Sequence, residues 1–366
     1  MLSGASLRVC YLGISNPGFS RNRVFIRALR DAGVTVHECF DQTPGWRRYR
    51  NLYRKHRALR GGYDVMLVGY PGQTVTWFAR LLAGGHAPVV LDALASRYEA
   101  DVLSRQPGKR RSLYALKMRL IDFFGCRLAH LVLVETEAQA RYFEARGLAK
   151  PGGAARVFSG ADDDAFHPRP DVAKRSRFTA IFRGRLMSEA GVCHVVDAAA
   201  LLANEGVDFL IVGFGDKLEE IRSQISRLRL SNVTLETRNY PTLADLAVLL
   251  ASCHVSLGQF EDHERLSRTI PHKAFETAAV GVPYVTARAA GISEIFQDGE
   301  SALFVPPANP RELAAAILRI KNDPALGRRL AEGASLAYHR LCDRQAIGAR
   351  LVSVLAAVCE SFSKRR

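Results

Sequence analysis

Short apolar runs alternate with helical stretches twice along this 366-residue chain, and that alternation constrains the fold more than any motif does. In the first half, Leu7–Gly13, Val34–Phe40, Tyr63–Gly69, Pro88–Leu91 and Leu131–Thr136 read as strands. Helical stretches near 21–32, 45–60, 73–84, 111–129 and 137–147 separate or follow them. Strands of four to seven apolar residues, joined by helices and not by tight turns, belong to a parallel sheet covered on both faces.

The second half repeats the scheme. Phe178–Phe182, Phe209–Gly213, Val233–Leu235, Val255–Leu257, Pro283–Val285 and Ala302–Val305 read as strands. Val192, Val195, Val196, Ala199 and Leu202 share one helical face. Asn309-Pro310-Arg311-Glu312 supplies an N-cap, a proline at N1 and an acid at N3. Asp323-Pro324 opens another helix the same way, and a last helix spans about 344–362. Two prolines and three consecutive acids in Gly160–Pro170 suit neither a strand nor a helix interior. The expected division is therefore 1–170 and 171–345, with 346–366 as a terminal helix that packs back on the first domain. Two doubly wound α/β domains imply a cleft facing the carboxyl ends of both sheets.

Composition excludes several classes. Hydrophobic residues make up 48% and charged residues 24%, which rules out a disordered chain, a collagen or a small disulfide scaffold. No apolar run reaches the ~18–20 residues of a spanning helix. The first residues lack a basic stretch followed by an apolar one, so no signal peptide is expected. Seven scattered cysteines without a C-x-x-C pair suit a reduced, cytoplasmic setting. The ten histidines show no metal-ligand spacing, and no metal is expected. The formal charge of +15 is uneven: residues 1–170 carry 26 Lys/Arg against 14 Asp/Glu, and residues 171–366 carry 25 against 22. That asymmetry points to an acidic partner for the first half.

Four stretches of the second half hold candidate chemistry. Gly213-Phe214-Gly215-Asp216 lies between a strand and a helix, where bare backbone can approach an anion. It lacks the third glycine of a dinucleotide fingerprint, and a plain tight turn explains it equally well. Arg183 and Arg185 close a strand, and arginine's fork suits a diphosphate. In Ile270–Ala279, Pro271 fits N1 of a helix, while Lys273 and Glu276 share a face. A carboxylate there can accept bonds from a ribose diol; a surface ion pair on a capped helix is the plainer alternative. Glu294 reads as a cap for the turn near it.

The order of these features carries a resemblance. Gly160-Ala161-Asp162 with Phe166 and Pro168 is followed by Gly184-Arg185-Leu186, by Gly213–Asp216, by Phe275-Glu276 with Gly281 and Pro283, and by Glu294, Asp298-Gly299 and Val305-Pro306-Pro307. This series resembles the large retaining family four of GT-B glycosyltransferases, strongly over the second domain. The first domain is similar to a subset of that family through Ser20–Arg23, Gly69–Gly72 and Leu91-Asp92-Ala93 with Ser96 and Tyr98. The resemblance implies an α/β GT-B fold of two Rossmann-like domains and a sugar nucleotide (UDP- or GDP-sugar) as co-substrate, with no cofactor required. It assigns Arg185 to the donor diphosphate and Glu276 to the nucleotide ribose. It also implies donor contacts at Gly18, Arg183, Gly213, Gly215, Arg238, Tyr240, Arg265, Arg268 and Thr269. Two departures stand out: Ala190 replaces the family's usual lysine, and Arg268 replaces its first motif glutamate. Lys273 or Arg183 takes the role of the missing cation in this reading. Glu261, Asp262 and Glu264 lie just upstream of the missing glutamate. Asp92, just past a first-domain strand, is the candidate acceptor contact, with a capping role as the alternative.

The segment Trp46–Arg60 holds seven cations and no acid, including Arg47, Arg48, Arg50, Arg54, Lys55 and Arg57. Trp46, Tyr49, Tyr53 and His56 share a helical face. Lys109-Arg110-Arg111 with Lys117 and Arg119 forms a second cluster. Such segments suit an anionic membrane surface, and no nucleic-acid motif accompanies the charge. The reading is a cytoplasmic enzyme, peripheral at the inner face of the cell membrane, glycosylating a cell-envelope, lipid-linked or polysaccharide-precursor acceptor. A sugar-nucleotide epimerase and a degenerate sugar-nucleotide or glycan-binding protein are the alternatives.

Overall fold

A computed structural model describes residues 7–104, 107–237 and 242–365. The chain divides into two compact units, Met1–Gly160 with Arg344–Arg366, and Ala161–Asp343. The expected donor contacts Arg238 and Tyr240 lie outside the described residues.

In unit 1 the order is β1 (Arg8–Gly13), α1 (Ser20–Asp31), β2 (Thr35–Phe40), α2 (Arg47–Arg57), β3 (Val65–Val68), α3 (Thr76–Ala83) and β4 (Val89–Leu94). Then come α4 (Leu113–Arg127), β5 (Leu131–Val134), α5 (Glu137–Ala145) and β6 (Ala154–Arg156). The strands form one parallel sheet in the order β2-β1-β3-β4-β5-β6. Its two faces belong to separate cores, because side chains alternate along each strand. Cys10, Leu12, Met66, Val68 and Val134 fill one core; Val9, Tyr11, Val65, Leu67 and Leu133 fill the other. The sheet switches direction between β1 and β3, where Asn22 fastens the two exit loops. Its Nδ2 donates to the Tyr70 carbonyl (2.7 Å), and its Oδ1 accepts from the Tyr70 N–H (3.0 Å).

Unit 2 runs β7 (Phe178–Arg183), α6 (Val192–Leu201), β8 (Val207–Val212), α7 (Leu218–Arg227), β9 (Val233–Glu236) and α8 (Leu243–Ser252). It continues with β10 (Val255–Leu257), α9 (His272–Val280), β11 (Tyr284–Ala287), β12 (Leu303–Val305), α10 (Pro310–Asn322) and α11 (Pro324–Leu341). Its parallel sheet has the order β12-β11-β10-β7-β8-β9, with the switch between β7 and β10. The Asn309 and Asp323 side chains cap α10 and α11, each with proline at N1.

The chain then returns to unit 1. Helix α12 (Arg344–Ser363) packs Ile347, Leu351 and Leu355 into the core that holds Phe25 and Leu29 of α1. Gly348 faces the Ala28 carbonyl so closely that a Cβ would come within 2.5 Å of it. By length and composition, 324–363 is apolar enough to cross a membrane, contrary to the reading of the sequence run by run. Here it is broken between α11 and α12, and a third of its apolar window is buried.

Other boundaries moved for identifiable reasons. Pro271 is the N-cap of α9 and not its first residue, with an extended ψ of 133°. A π-helical turn, Tyr98–Leu103, follows β4 where no element was expected. It depends on Asp122, distant in sequence, whose carboxylate accepts the N–H groups of Arg97 (2.7 Å) and Tyr98 (2.8 Å). Strand β6 is only three residues long, too short for a hydrophobic period.

Candidate functional site

The carboxyl end of sheet 2, at the β7/β10 switch, is the place where an open α/β sheet receives a ligand. Strand β7 ends in Arg183 and turns at Gly184, whose φ of 146° suits only glycine. The exit loops of β7 and β8 pass so closely that a Cβ on Gly213 would collide with the Gly184 carbonyl oxygen. The backbone at both exits is therefore bare.

Helix α9 brings two functional groups to this point. It is pinned to β10 by a hydrogen bond between Thr277 Oγ1 and Ser256 Oγ (2.8 Å). Lys273, in its first turn, is buried. Its Nζ donates to the Gly258 carbonyl just past β10 (2.8 Å) and lies 3.5 Å from the centre of the Phe182 ring. Burial, with Arg183 adding like-charge repulsion, pushes the ammonium well below its ordinary value. Arg183 forms an ion pair with Glu276, and Glu276 Oε1 lies 3.6 Å from His272 Nε2. Burial lowers the Arg183 guanidinium to about 10. Arg183, half-buried, thus has Glu276 as its acid, while the buried Lys273 is held by a backbone carbonyl and a ring. A buried ammonium without a carboxylate of its own, beside a second cation, favours an incoming anion.

Arg185 stands one residue beyond Gly184, exposed, with its guanidinium carbon 5.8 Å from the Phe214 ring centre. Gly215 follows on the same loop. The expected donor contacts before α9 are tied to acids. Arg265 Nη1 meets the buried Glu189 at 2.7 Å, and Arg268 Nη2 meets Glu264 at 3.4 Å. Thr269 Oγ1 donates to the Arg265 carbonyl (3.3 Å). Ala190, where the resemblance leads one to look for lysine, is buried.

Three residues at this end were not singled out from the sequence. His272 adjoins Lys273 and was visible by its i, i+4 spacing to Glu276. Phe182 was read as strand interior, yet its ring lies under Lys273. Glu189 gave no signal, since Arg265 lies far along the chain. The fold also gathers Cys193, His194 and Glu261, whose thiol, imidazole and carboxylate ligand atoms lie within 4.8 Å of one another. These are ligand types that a transition metal accepts, brought together without any sequence spacing to announce them.

In unit 1, Asp92 requires a correction. The sequence offers it as an acceptor contact or a cap, but its carboxylate is fully buried and serves as neither: Arg21 Nε donates to both of its oxygens at 2.9 Å. Arg21 in turn donates to the Val157 carbonyl (3.1 Å) and Ser159 Oγ (2.9 Å). Burial raises the Asp92 carboxyl above its ordinary value, with Arg21 pulling the other way. The group is a structural tie across the sheet. Gly18 lies exposed on a turn, its N–H bonded to Asn16 Oδ1 (2.8 Å). On α2, Arg47, Arg50, Arg54, Lys55 and Arg57 are exposed and Arg48 is half-buried. His56 does not join the exposed aromatic face; it is buried against Tyr63 Oη (2.8 Å).

Residues 177–323 match the family model described as glycosyl transferases group 1. The chain is 28% identical over 189 residues to alpha-D-kanosaminyltransferase of Streptomyces kanamyceticus, covering 49% of this chain and 46% of the relative. It is 28% identical over 179 residues to the lipopolysaccharide core biosynthesis glycosyltransferase LpsD of Rhizobium meliloti, covering 46% and 48%. The aligned regions thus span about half the length of these curated relatives. Anabaena HepE, solved in complex with UDP, superposes with a TM-score of 0.71 at 19% identity, over 96% of this chain and all of that one. The fold is the two-domain, Rossmann-like GT-B fold, and unit 2 carries the region that matches the glycosyltransferase family.

Proposed function

We propose that the protein is a hexosyltransferase that moves a sugar from a UDP- or GDP-sugar to a cell-envelope, lipid-linked or polysaccharide-precursor acceptor, with retention at the anomeric carbon. The observation that carries this reading is the pairing of buried Lys273 with half-buried Arg183 beside glycine backbone, at the switch point of sheet 2. The matches to glycosyltransferases over the same unit support it.

In the reaction, the bond from the anomeric carbon to the diphosphate oxygen breaks, and its electron pair leaves on the diphosphate. Lys273, Arg183 and Arg185 stabilise that charge as it develops. The acceptor oxygen attacks from the face the diphosphate leaves, and its proton passes to the departing phosphate oxygen. Glu276 accepts hydrogen bonds from the ribose diol once Arg183 turns toward phosphate. We place the enzyme in the cytoplasm, with the cationic α2 surface turned toward an anionic membrane.

The test is calorimetry with UDP, GDP and their sugars, followed by NMR of the product made from the tightest donor. Binding with transfer, and an anomeric coupling unchanged from donor to product, is the expected outcome. Release of a free epimer, or binding without turnover on any acceptor, would overturn the assignment. An inverted coupling would overturn retention alone.

A further inference from the structure

Helix α4 is amphipathic in the wrong sense for a helix surrounded by water. Its inner side buries Ala115, Met118, Asp122, Gly125 and Cys126. Its outer side carries Leu113, Leu116, Leu120 and Phe124, spaced three to four apart, with Leu128 just beyond. Their exposures are 85%, 53%, 47%, 57% and 38%. Together with Trp77 of α3 they line an open groove of about 450 Å³. Contiguous exposed apolar surface of this kind marks an interaction site.

The surrounding charge identifies the partner. Residues 109–128 hold six cations, Lys109, Arg110, Arg111, Lys117, Arg119 and Arg127, all exposed, against one acid. That acid, Asp122, is buried as a cap. The apolar stripe is also continuous with aromatic side chains from α2. Tyr49 packs between Trp46 (5.5 Å) and Trp77 (5.3 Å), and Trp46 is 80% exposed. Helix α2 adds its own cations, of which Arg47, Arg50, Arg54, Lys55 and Arg57 are exposed.

We infer that the α3–α4 face of unit 1 inserts into an anionic lipid leaflet. The Leu113–Leu128 stripe is immersed in the acyl boundary, Trp77 and Trp46 sit at headgroup level, and the flanking cations bind the lipid phosphates. Apolar area and basic flanks together are what interfacial helices use, and either alone binds weakly. The inference deepens the membrane reading above, which rested on the α2 segment and on the cations of residues 109–119; the apolar stripe of α4 and its insertion are what it adds.

The experiment is sedimentation of the full chain with vesicles of phosphatidylglycerol and phosphatidylcholine, against phosphatidylcholine alone, at about 0.1 M salt. Anionic vesicles should take up the protein, and the triple variant Leu116→Gln, Leu120→Gln, Phe124→Gln should bind at least tenfold more weakly. The chain has only two tryptophans, so Trp46→Phe leaves Trp77 as the sole indole reporter. Its fluorescence should shift to the blue and be quenched by brominated acyl chains, a readout that holds even if the triple variant folds poorly. Unquenched Trp77 on pelleted protein overturns the insertion. If the triple variant binds as wild type while Arg50→Glu, Arg54→Glu, Arg57→Glu releases the protein, the α4 assignment falls and the simpler membrane reading stands. No uptake of the wild type overturns both. Self-association that the triple variant abolishes, without vesicle uptake, would make a second copy the partner instead. None of these outcomes depends on glycosyl transfer.

Discussion

Both sheets reverse direction next to their first strand, between β1 and β3 in unit 1 and between β7 and β10 in unit 2, and the two positions are filled differently. In unit 1 the amide of Asn22 satisfies the exit loops with neutral hydrogen bonds, and Arg21 is sealed against Asp92, with Glu135 a second acid reached through Ser159. In unit 2 the same place holds Lys273, faced by a backbone carbonyl and an aromatic ring, while the neighbouring Arg183 is paired with Glu276. One topology therefore supports both a closed structural tie and the anion site proposed for unit 2. What separates them is whether the buried cation has an acid beside it: Arg21 has Asp92, whereas Lys273 has only a carbonyl and a ring. Unit 1 moves its interaction chemistry outward instead, onto α2 and α4.

The largest effect expected from this contrast is on stability. Arg21→Met leaves Asp92 buried without its partner and should cost about 3–5 kcal/mol in urea unfolding, with nucleotide affinity unchanged in the folded protein. Replacing both residues by apolar ones should recover most of that loss. A cost under about 1 kcal/mol for the single variant would mean that the pair is not sealed.

Asp122 gives the next largest effect, and a pH test of the same closed unit. Burial raises its carboxyl from the ordinary 3.8 to about 7, against the pull of the two N–H groups it accepts. The native state therefore holds this proton more tightly than the unfolded chain does. The stabilisation it supplies is complete below about 4 and is lost as pH rises through about 7, a change of order 4 kcal/mol. Unfolding free energies of wild type and Asp122→Asn, compared from pH 4 to 8, should show wild type losing ground as pH rises. A constant difference would show that Asp122 is ionised throughout in the native protein.

Much of this architecture was legible in the sequence, and the reason is physical. Strands buried on both faces must be apolar throughout, so each left a continuous run, and Asn309-Pro310 and Asp323-Pro324 announced their helices locally. The motif residues around Gly184, Gly213 and Glu276 lie on strand exits and a helix start, and periodicity places those well. Pairings across the fold left no such trace. Nothing near Asp92 said that Arg21 would cover it, so a buried tie looked like a cleft-facing acid. Glu189 with Arg265, and Glu261 with Cys193 and His194, are equally silent. The exposed stripe of α4 was hidden for the opposite reason: Leu113, Leu116, Leu120 and Phe124 have the spacing of an ordinary core face, and only the fold shows that they point outward.

Lys273→Met tests the open side of the comparison. If the ammonium stabilises the departing diphosphate, kcat should fall about 10²–10³-fold, as when one preorganised donor is removed. The same change takes a desolvated cation out of the interior, so the melting temperature should rise. A purely structural lysine predicts the reverse, a lower melting temperature with modest change in kcat.

Glu276→Gln has the smallest expected effect and separates ribose from phosphate. Losing a charged acceptor for the ribose diol should weaken nucleoside diphosphate binding by about 1.5–3 kcal/mol, roughly tenfold to hundredfold. The nucleoside alone should lose the same factor, because it carries the same diol. Pyrophosphate should behave differently. With Glu276 neutral, Arg183 is no longer held by an ion pair, and its full charge faces the anion. Pyrophosphate affinity should therefore hold or increase. If pyrophosphate and nucleoside diphosphate weaken by equal factors, Glu276 serves only to position Arg183, and the contact with the ribose must come from elsewhere in unit 2.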